Sequence, residues 1–94
     1  MTTLAKLFDS LKYRVEVDEY GVRYYYNHAG QLHRVEGPAI IYTNGDETWW
    51  LNGCRHRIGG PAVEWANTTE WWLYGVQYTE DAYYHQLKTL EHTV

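Results

Sequence analysis

The sequence predicts a mainly β fold of the α+β type, an antiparallel meander of tandem hairpin repeats of about 23 residues with an amphipathic helix at either end. The first observation behind this prediction is a seven-residue motif that occurs twice. His33-Arg34-Val35-Glu36-Gly37-Pro38-Ala39 returns 23 residues later as His56-Arg57-Ile58-Gly59-Gly60-Pro61-Ala62, with five of the seven residues identical. The second observation is the alternation of aromatic and polar residues between turn signals, which is typical of short strands.

A third, decayed copy of the surrounding sequence follows the second motif. Trp71-Trp72-Leu73-Tyr74-Gly75 matches Trp49-Trp50-Leu51-Asn52-Gly53, and Tyr78 stands where the next histidine would fall. Periods of this size are typical of stacked supersecondary units, none of which can bury its apolar face without a neighbour. The motif thus predicts the architecture more specifically than the function.

The chain before the repeats predicts one helix and one hairpin. Leu4, Leu7, Phe8 and Leu11 recur at helical spacing and predict a helix over residues 3–12. Apolar and charged residues then alternate over residues 13–17, which predicts a strand. A turn at residues 18–21 leads to a returning strand over residues 22–27.

Glycine and proline mark the turns of the repeats. Asn44-Gly45 and Asn52-Gly53 predict hairpin turns whose two central residues tolerate positive φ. Because proline cannot donate to a β-ladder, Gly37-Pro38 and Gly60-Pro61 are expected at strand starts or on an edge. In both pairs we expect the glycine to supply the backbone freedom for a sharp entry into the strand.

The C-terminal segment predicts the second helix. Thr79 can cap it, Glu80 and Asp81 suit its first turn, and Tyr83 and Leu87 lie on one apolar face, so the helix should cover residues 80–91. The two helices would cover the ends of the repeat array. The 94 residues contain no linker, so we expect one domain with a helix over 3–12, a β-repeat sheet over 13–78 and a helix over 80–91.

The spacing His-Arg-x-x-Gly-Pro-Ala, preceded by an aromatic strand and a turn glycine, resembles a tandem repeat that is distantly similar to MORN repeats. That repeat occurs in small proteins of bacteria, bacteriophages and large DNA viruses. The resemblance covers residues 20–84, and residues 71–81 look like the family's usual exit from the last repeat into an acidic-capped helix. The third unit departs from the pattern because it lacks the His-Arg and Gly-Pro elements. The resemblance implies β-hairpin units and brings no catalytic motif.

Composition argues against several classes of function. The formal net charge of −4, from 12 acidic and 8 basic residues, argues against a nucleic-acid binder and against binding to anionic lipids. The single cysteine, Cys54, cannot form an intrachain disulfide and fits a reducing compartment. No apolar run reaches the length of a membrane-spanning helix, and the first residues lack a signal-peptide pattern. We expect a cytoplasmic protein that contacts neither membrane nor nucleic acid directly.

The histidines are the first candidates for a site. His28, His33, Cys54 and His56 lack the close ligand pairs of zinc sites, so we expect neither a metal nor another cofactor. His33 and His56 are instead expected to form a structural ladder that hydrogen-bonds turn backbone. No signature of a nucleophile with its base, a phosphate loop or paired catalytic carboxylates is present, which predicts that the chain is not an enzyme. The predicted structural positions of the repeat are His33, Gly37, Pro38, His56, Gly60 and Pro61.

The aromatic residues are the stronger candidates. Ten tyrosines and five tryptophans accompany one phenylalanine, so most aromatic side chains have a polar group that suits a half-buried surface. Neighbours in a strand point to opposite faces, so each Trp pair should have one buried and one outward member. Two short helices can hardly cover both faces, so the uncovered face is expected to bind a partner or to be buried in a homodimer. The alternative is that the Trp and Tyr side chains only shield the hairpins from water. The predicted partner-binding residues are Tyr25, Trp49, Trp50, Trp71, Trp72, Arg34 and Arg57.

Two functional hypotheses follow. The first is a non-catalytic protein-interaction module, encoded by a phage or mobile element, that binds and blocks a host defence or nucleic-acid enzyme. The second is a small-ligand binder in which a sugar or nucleotide ring stacks on the Trp and Tyr side chains. A deep pocket at Trp49 or Trp72 with convergent polar groups would favour the ligand, and a flat aromatic face would favour the protein. For Arg34 and Arg57, the alternative to partner recognition is a surface ion pair with one of the acids Glu36, Glu47, Glu64 and Glu70.

Overall fold

Antiparallel strands followed by a C-terminal helix make up the computed structural model, which describes residues 12–91. Seven strands form one meander in the order β1-β2-β3-β4-β7-β8-β9, and β5 pairs with β6 in a separate two-stranded sheet. The predicted mainly β meander and C-terminal helix are confirmed, whereas the helix predicted over residues 3–12 falls outside the described range except for its last residue. The elements are β1 (Arg14–Val17), β2 (Arg23–Tyr26), β3 (Ile40–Ile41), β4 (Glu47–Thr48), β5 (Trp50–Leu51), β6 (Cys54–Arg55), β7 (Val63–Glu64), β8 (Thr69–Leu73), β9 (Val76–Tyr78) and α1 (Glu80–Glu91).

Three-residue turns that end in glycine follow β1, β2 and β3. In the turn after β3, the Tyr42 N–H donates to the Asp46 carbonyl at 2.9 Å. Its last residue, Gly45, takes a φ of 94°, and Gly21 and Gly30 take similar values in the other two turns. The hairpin predicted at Asn44-Gly45 is therefore present, but only Gly45 has positive φ, because the loop has three residues and closes with a glycine bulge.

Two-residue turns join β5 to β6 and β8 to β9. Their central residues, Asn52-Gly53 and Tyr74-Gly75, all take positive φ: 48° and 83° in each turn. Positive φ at both central positions defines a type I′ turn, whose twist matches that of the flanking strands. The turn predicted at Asn52-Gly53 is confirmed. Tyrosine at the first position of such a turn is unusual, because asparagine and glycine adopt this conformation at lower cost.

In each segment with the His-Arg motif, the arginine side chain donates to the backbone carbonyl four residues later. The Arg34 Nη1 donates to the Pro38 carbonyl at 3.3 Å, and the Arg57 Nη1 donates to the Pro61 carbonyl at 3.1 Å. A Cβ added to Gly37 would lie 3.0 Å from the Arg34 Cζ, and one added to Gly60 would lie 2.8 Å from the Arg57 Cζ. Neither glycine takes positive φ. The expectation that they supply backbone freedom is therefore wrong, and their role is to leave room for the guanidinium.

The core is small and contains more tyrosine than is usual. Tyr13 lies edge-on to Tyr25, with ring centroids 5.9 Å apart, and Ala39 completes this cluster. Ala39 and Ala62, which follow the two prolines, are both fully buried. Small side chains at these positions allow neighbouring strands to approach closely. Besides Gly37 and Gly60, the buried residues of the described range are Tyr13, Tyr25, Ala39, Ile40, Thr48, His56, Ala62, Val63, Leu73 and Tyr83.

Helix α1 has the predicted bounds and is anchored to the second His-Arg segment. The Thr79 Oγ1 accepts the Ala82 N–H at 3.2 Å, which is the expected N-cap. Tyr83 is fully buried, and its ring lies 5.0 Å from the Trp71 ring. Its hydroxyl accepts the Gly59 N–H at 3.0 Å and donates to the Arg57 carbonyl. The Tyr13 hydroxyl similarly accepts the Val35 N–H at 3.0 Å in the first segment.

We predict that Tyr83→Phe lowers the free energy of unfolding by about 1–3 kcal/mol, because it leaves the Gly59 N–H and the Arg57 carbonyl without their partner. Urea denaturation measures this change. Tyr84→Phe is the matched control, since Tyr84 is the next residue of the helix and its side chain is exposed. That variant should change the free energy by less than about 0.5 kcal/mol. Equal effects of the two substitutions would contradict the anchoring role of the Tyr83 hydroxyl.

Candidate functional site

Each histidine of the His-Arg motif bonds to the turn of the following hairpin. The His33 Nδ1 accepts the Asn52 N–H at 2.9 Å, and the His56 Nδ1 accepts the Tyr74 N–H at 2.9 Å. A ring nitrogen that accepts a hydrogen bond carries no proton, so the remaining ring proton of each imidazole lies on Nε2. The histidines therefore position the turns at Asn52 and Tyr74.

His56 lies in an environment that opposes its protonation. The residue is 8% exposed, and the Tyr74 ring stacks on it with centroids 4.0 Å apart. Burial lowers the pKa of the His56 imidazole from its usual value of 6.5. The neutral ring that the Tyr74 N–H requires is thus also the form that burial favours.

The arginines of the motif pack on aromatic rings of the sheet. The guanidinium carbon of Arg34 lies 4.0 Å from the Tyr25 ring centre, and that of Arg57 lies 4.0 Å from the Trp49 ring centre. Such contacts contribute about 0.5–2 kcal/mol each, depending on solvent exposure. Both guanidinium groups therefore pack against the sheet itself, which a residue at the rim of a binding site would not need to do.

The carboxylates near the motif divide among three cations. Arg57 pairs with Glu64 at 2.8 Å, as one of the alternatives from the sequence predicted. The Lys12 Nζ lies 2.9 Å from Glu36. The Arg55 Nη1 lies 3.3 Å from Glu70. Ion pairs of this exposure contribute about 0–1 kcal/mol each, so they orient side chains more than they stabilise the domain.

The four paired tryptophans share one degree of burial. Trp49, Trp50, Trp71 and Trp72 are all half-buried, so the expected division into one buried and one exposed member per pair is wrong. For two of the four, the indole N–H explains why the ring is only half-buried. The Trp50 Nε1 donates to the Thr48 Oγ1 and the Trp72 Nε1 donates to the Glu70 Oε1, both at 2.9 Å. Each ring therefore lies along the sheet surface, with its N–H bonded to a strand neighbour.

A cavity of about 280 Å³ lies over Trp49, between the two His-Arg segments. We call it the Trp49 pocket. Val35 and Ile58, at the same position of the two motifs, are 60% and 58% exposed at its edge. The Trp49 Nε1 is buried and has no acceptor among residues 12–91. The pocket is lined by Arg34, Val35, Trp49, Leu51, His56, Arg57 and Ile58.

The neighbouring aromatic positions are covered from within the chain. Tyr13 packs on Tyr25, and Tyr83 and Tyr84 pack on Trp71 at 5.0 and 5.3 Å between ring centroids. Trp49 lies between Tyr25 and Trp71 in the sequence, and the Arg57 guanidinium packs on its ring. The Trp49 pocket therefore opens between two parts of the surface that Tyr13 and α1 cover.

A second concavity, the Trp50–Trp72 cleft, has a volume of about 340 Å³. The guanidinium carbon of Arg55 lies 5.3 Å from the Trp50 ring centre and 5.2 Å from that of Trp72. The Arg55 Nε is buried and has no acceptor within the described part of the chain. Arg55 thus contacts both indole rings, and the exposed Cys54 also lines the cleft.

Several residues of these two sites were missed by the sequence prediction. Val35 and Ile58 could have been found, because they put an exposed aliphatic side chain at the same place of both motifs. Arg55 and Glu70 lie 15 residues apart and gave no local signal. Tyr83 bonds to residues 24 and 26 positions away, and its own helical spacing predicted only an apolar contact.

No group of three or more histidine, cysteine, aspartate or glutamate side chains suited to a metal ion is present among residues 12–91. Within the same range, no helix has the length and apolar character needed to cross a bilayer. Comparison with protein-family models, curated proteins and solved structures finds no match to this chain. The resemblance to MORN-like repeats therefore remains a prediction from the residues.

We predict that His56→Asn reduces the dependence of stability on pH. Because the pKa of folded His56 is below 6.5, the unfolded chain binds more protons, and stability falls as the pH falls below 6.5. The Asn side-chain oxygen can accept the Tyr74 N–H without titrating. Melting temperatures between pH 7.5 and 5 measure the effect. The exposed His28 supplies the control, since His28→Asn should keep the slope of the parent protein, and an unchanged slope in His56→Asn would contradict the assignment.

We further predict that Trp72→Phe destabilises the protein by about 1 kcal/mol more than Trp49→Phe. The first substitution removes the hydrogen bond to Glu70, whereas the second removes a donor that lacks an acceptor among the described residues. Chemical denaturation of both variants tests this order. The reverse order would contradict the prediction.

Proposed function

We propose that this chain is a non-catalytic protein-interaction module that binds its partner through the Trp49 pocket. The observation that carries the proposal is the pair of exposed aliphatic side chains, Val35 and Ile58, at the edge of a pocket built on a tryptophan. Exposed apolar groups around a concave aromatic site are typical of binding surfaces. Trp and Arg, which the pocket combines, are also enriched among the residues that dominate binding energy.

The size of the pocket supports a protein partner. Its volume of about 280 Å³ is just below the range of roughly 300–1,000 Å³ that is typical of small-molecule sites. A single large side chain of a partner could fill it, with Val35 and Ile58 in contact with the surrounding surface. The residues that line the pocket offer few polar groups: the His56 Nε2 and the two guanidinium groups.

Charge supports a partner with a basic surface. The chain has 12 acidic and 8 basic residues, for a formal net charge of −4. A basic groove, such as that of an enzyme that acts on nucleic acid, would attract this module over long range. We propose that the module blocks such an enzyme in a host cell, a role that fits the kinds of organism in which similar repeats occur. The exposed thiol of Cys54 fits a cytoplasmic location.

We also propose that the surface is built from tandem repeats of about 23 residues. Matching contacts of the two motifs support this: His33 with His56, Arg34 with Arg57, and the tyrosine hydroxyls of Tyr13 and Tyr83. Backbone bonds match as well, since the Arg34 N–H donates to the Trp50 carbonyl and the Arg57 N–H to the Trp72 carbonyl. A repeated unit would explain why Val35 and Ile58 recur on one surface.

The second candidate function is the binding of a small ligand in the Trp50–Trp72 cleft. Two indole rings beside a guanidinium offer stacking surfaces and hydrogen-bond donors to a sugar or nucleotide. Against it, Arg55 already packs on both rings and is paired with Glu70. A retained ligand in native mass spectrometry, lost in Trp72→Ala, would favour this function over the first.

Partner capture with a matched pair of variants tests the main proposal. Ile58→Asp places a charge at the edge of the Trp49 pocket, and Val17→Asp makes the same kind of change at a side chain of nearly equal exposure on β1: 58% against 57%. We expect Ile58→Asp to weaken binding of the captured protein at least tenfold, about 1.4 kcal/mol, while Val17→Asp binds like the parent. Calorimetry with the purified partner gives both affinities. Equal binding by the two variants would exclude the pocket as the contact, and a parent protein that elutes as a dimer lost only in Ile58→Asp would make the partner a second copy.

A further inference from the structure

Tyr74 occupies a backbone conformation that does not suit its side chain. Its φ is 48°, in the left-handed region, where a residue with a Cβ is disfavoured by about 1–2 kcal/mol. Asn52 takes the same φ at the same position of the β5–β6 turn, and asparagine adopts this conformation more readily. The β8–β9 turn therefore has a tyrosine at the position where the β5–β6 turn has an asparagine, which this conformation favours.

The backbone contacts of the turn do not explain the tyrosine. The Tyr74 N–H donates to the His56 Nδ1 at 2.9 Å, and the Asn52 N–H makes the same bond to His33 at the same distance. Any residue other than proline supplies that donor. The ring is what tyrosine adds, and the ring stacks on His56 while the residue remains 60% exposed.

Five aromatic rings among the described residues have an arginine beside them. Guanidinium carbons lie 4.0 Å from Tyr25, 4.8 Å from Tyr26, 4.0 Å from Trp49, and 5.3 and 5.2 Å from Trp50 and Trp72. Within residues 12–91 no such contact is made to Tyr74. One face of its ring lies against His56, and the exposed part of the ring faces solvent.

Charge indicates what a partner would bring to this ring. Four cations of the chain are paired with a carboxylate. The N–O distances are 2.9 Å for Lys12, 3.4 Å for Arg14, 3.3 Å for Arg55 and 2.8 Å for Arg57. The net charge of −4 then favours a partner that supplies cations. Tyrosine faces attract guanidinium groups, and the contact is stronger for arginine than for the compact, more hydrated lysine ammonium.

We propose that Tyr74, stacked on His56, is an anchor that takes an arginine side chain from a basic surface of the partner protein. This inference rests on the proposed function, because it names the chemistry of the partner and extends the contact from the Trp49 pocket to the β8–β9 turn. His56 connects the pocket with the turn, since it lines the pocket and its ring lies against that of Tyr74. The strained turn is retained because it holds the tyrosine ring rigidly at the surface.

The test uses a peptide of alternating arginine and glycine and a second peptide with lysine in place of every arginine. Calorimetry gives the dissociation constants for the parent protein and for each variant, and the aromatic NMR signals of Tyr74 in the parent protein report whether the peptide contacts that ring. We expect the arginine peptide to shift the Tyr74 signals and to bind about threefold more weakly to Tyr74→Asn. Tyr74→Phe should keep the affinity, because it keeps the ring.

Tyr20→Asn is the matched control. Tyr20 is also an exposed turn tyrosine, at 76%, and the substitution makes the same change without altering the net charge. The control should bind the arginine peptide like the parent protein. Equal losses in Tyr20→Asn and Tyr74→Asn, equal affinity of the two peptides for the parent, or no loss in Tyr74→Asn would each overturn the proposal.

Stability separates this proposal from a purely structural role. Asparagine suits the turn, so the melting temperature of Tyr74→Asn should be unchanged or higher than that of the parent protein. A fall in melting temperature like that expected for a core substitution would mean that the ring is retained for folding, and would overturn the proposal. Neither result bears on Ile58→Asp, so the pocket can be the partner contact even if Tyr74 is not.

Discussion

The hydrogen bond from a turn N–H to an imidazole Nδ1 is the contact on which the arrangement of the hairpins depends. Strands of two residues, such as β3 and β4, provide too few ladder bonds to fix the next hairpin by themselves. His33 and His56 supply the missing connection by reaching the turns at Asn52 and Tyr74. The arginines then close the loops that follow, and the glycines before the prolines leave room for them. The sheet is thus held by side-chain bonds to backbone groups as well as by its own ladders.

The excess of tyrosine and tryptophan over phenylalanine has a structural explanation. Tyr13 and Tyr83 use their hydroxyls to bond the backbone of the two His-Arg segments, and Trp50 and Trp72 use their indole N–H groups to bond strand neighbours. Phenylalanine could fill the same space but could not satisfy these backbone and side-chain groups. In a domain with so little dry core, aromatic side chains provide both buried area and hydrogen bonds.

The sequence predicted what depends on local pattern and missed what depends on distant contacts. Helix α1 was predicted with its bounds and its Thr79 cap, because spacing and capping are local properties. The role of Gly37 was not, because the guanidinium that needs the space belongs to a side chain whose conformation the pattern does not specify. The burial of the Trp pairs was also predicted wrongly, since strand alternation gives the direction of a ring and not its tilt along the sheet. For the candidate site, the predicted partner-binding residues include Trp49, which lines the pocket, but they do not include Val35, Ile58 or Tyr74.

The meander has a consequence for the order of folding. In the sheet each strand pairs with a neighbour close in the sequence, and the bond from the Tyr83 hydroxyl to the Arg57 carbonyl spans 26 residues. Closing such loops requires little entropy, so a β-protein of this topology should fold faster than a sandwich or barrel of equal size. The loop that contains Arg57 is completed later, because the Arg57 carbonyl accepts a hydrogen bond from the Tyr83 hydroxyl. During synthesis on the ribosome, the first His-Arg segment can therefore reach its final structure before the second, whose last partner emerges 26 residues later.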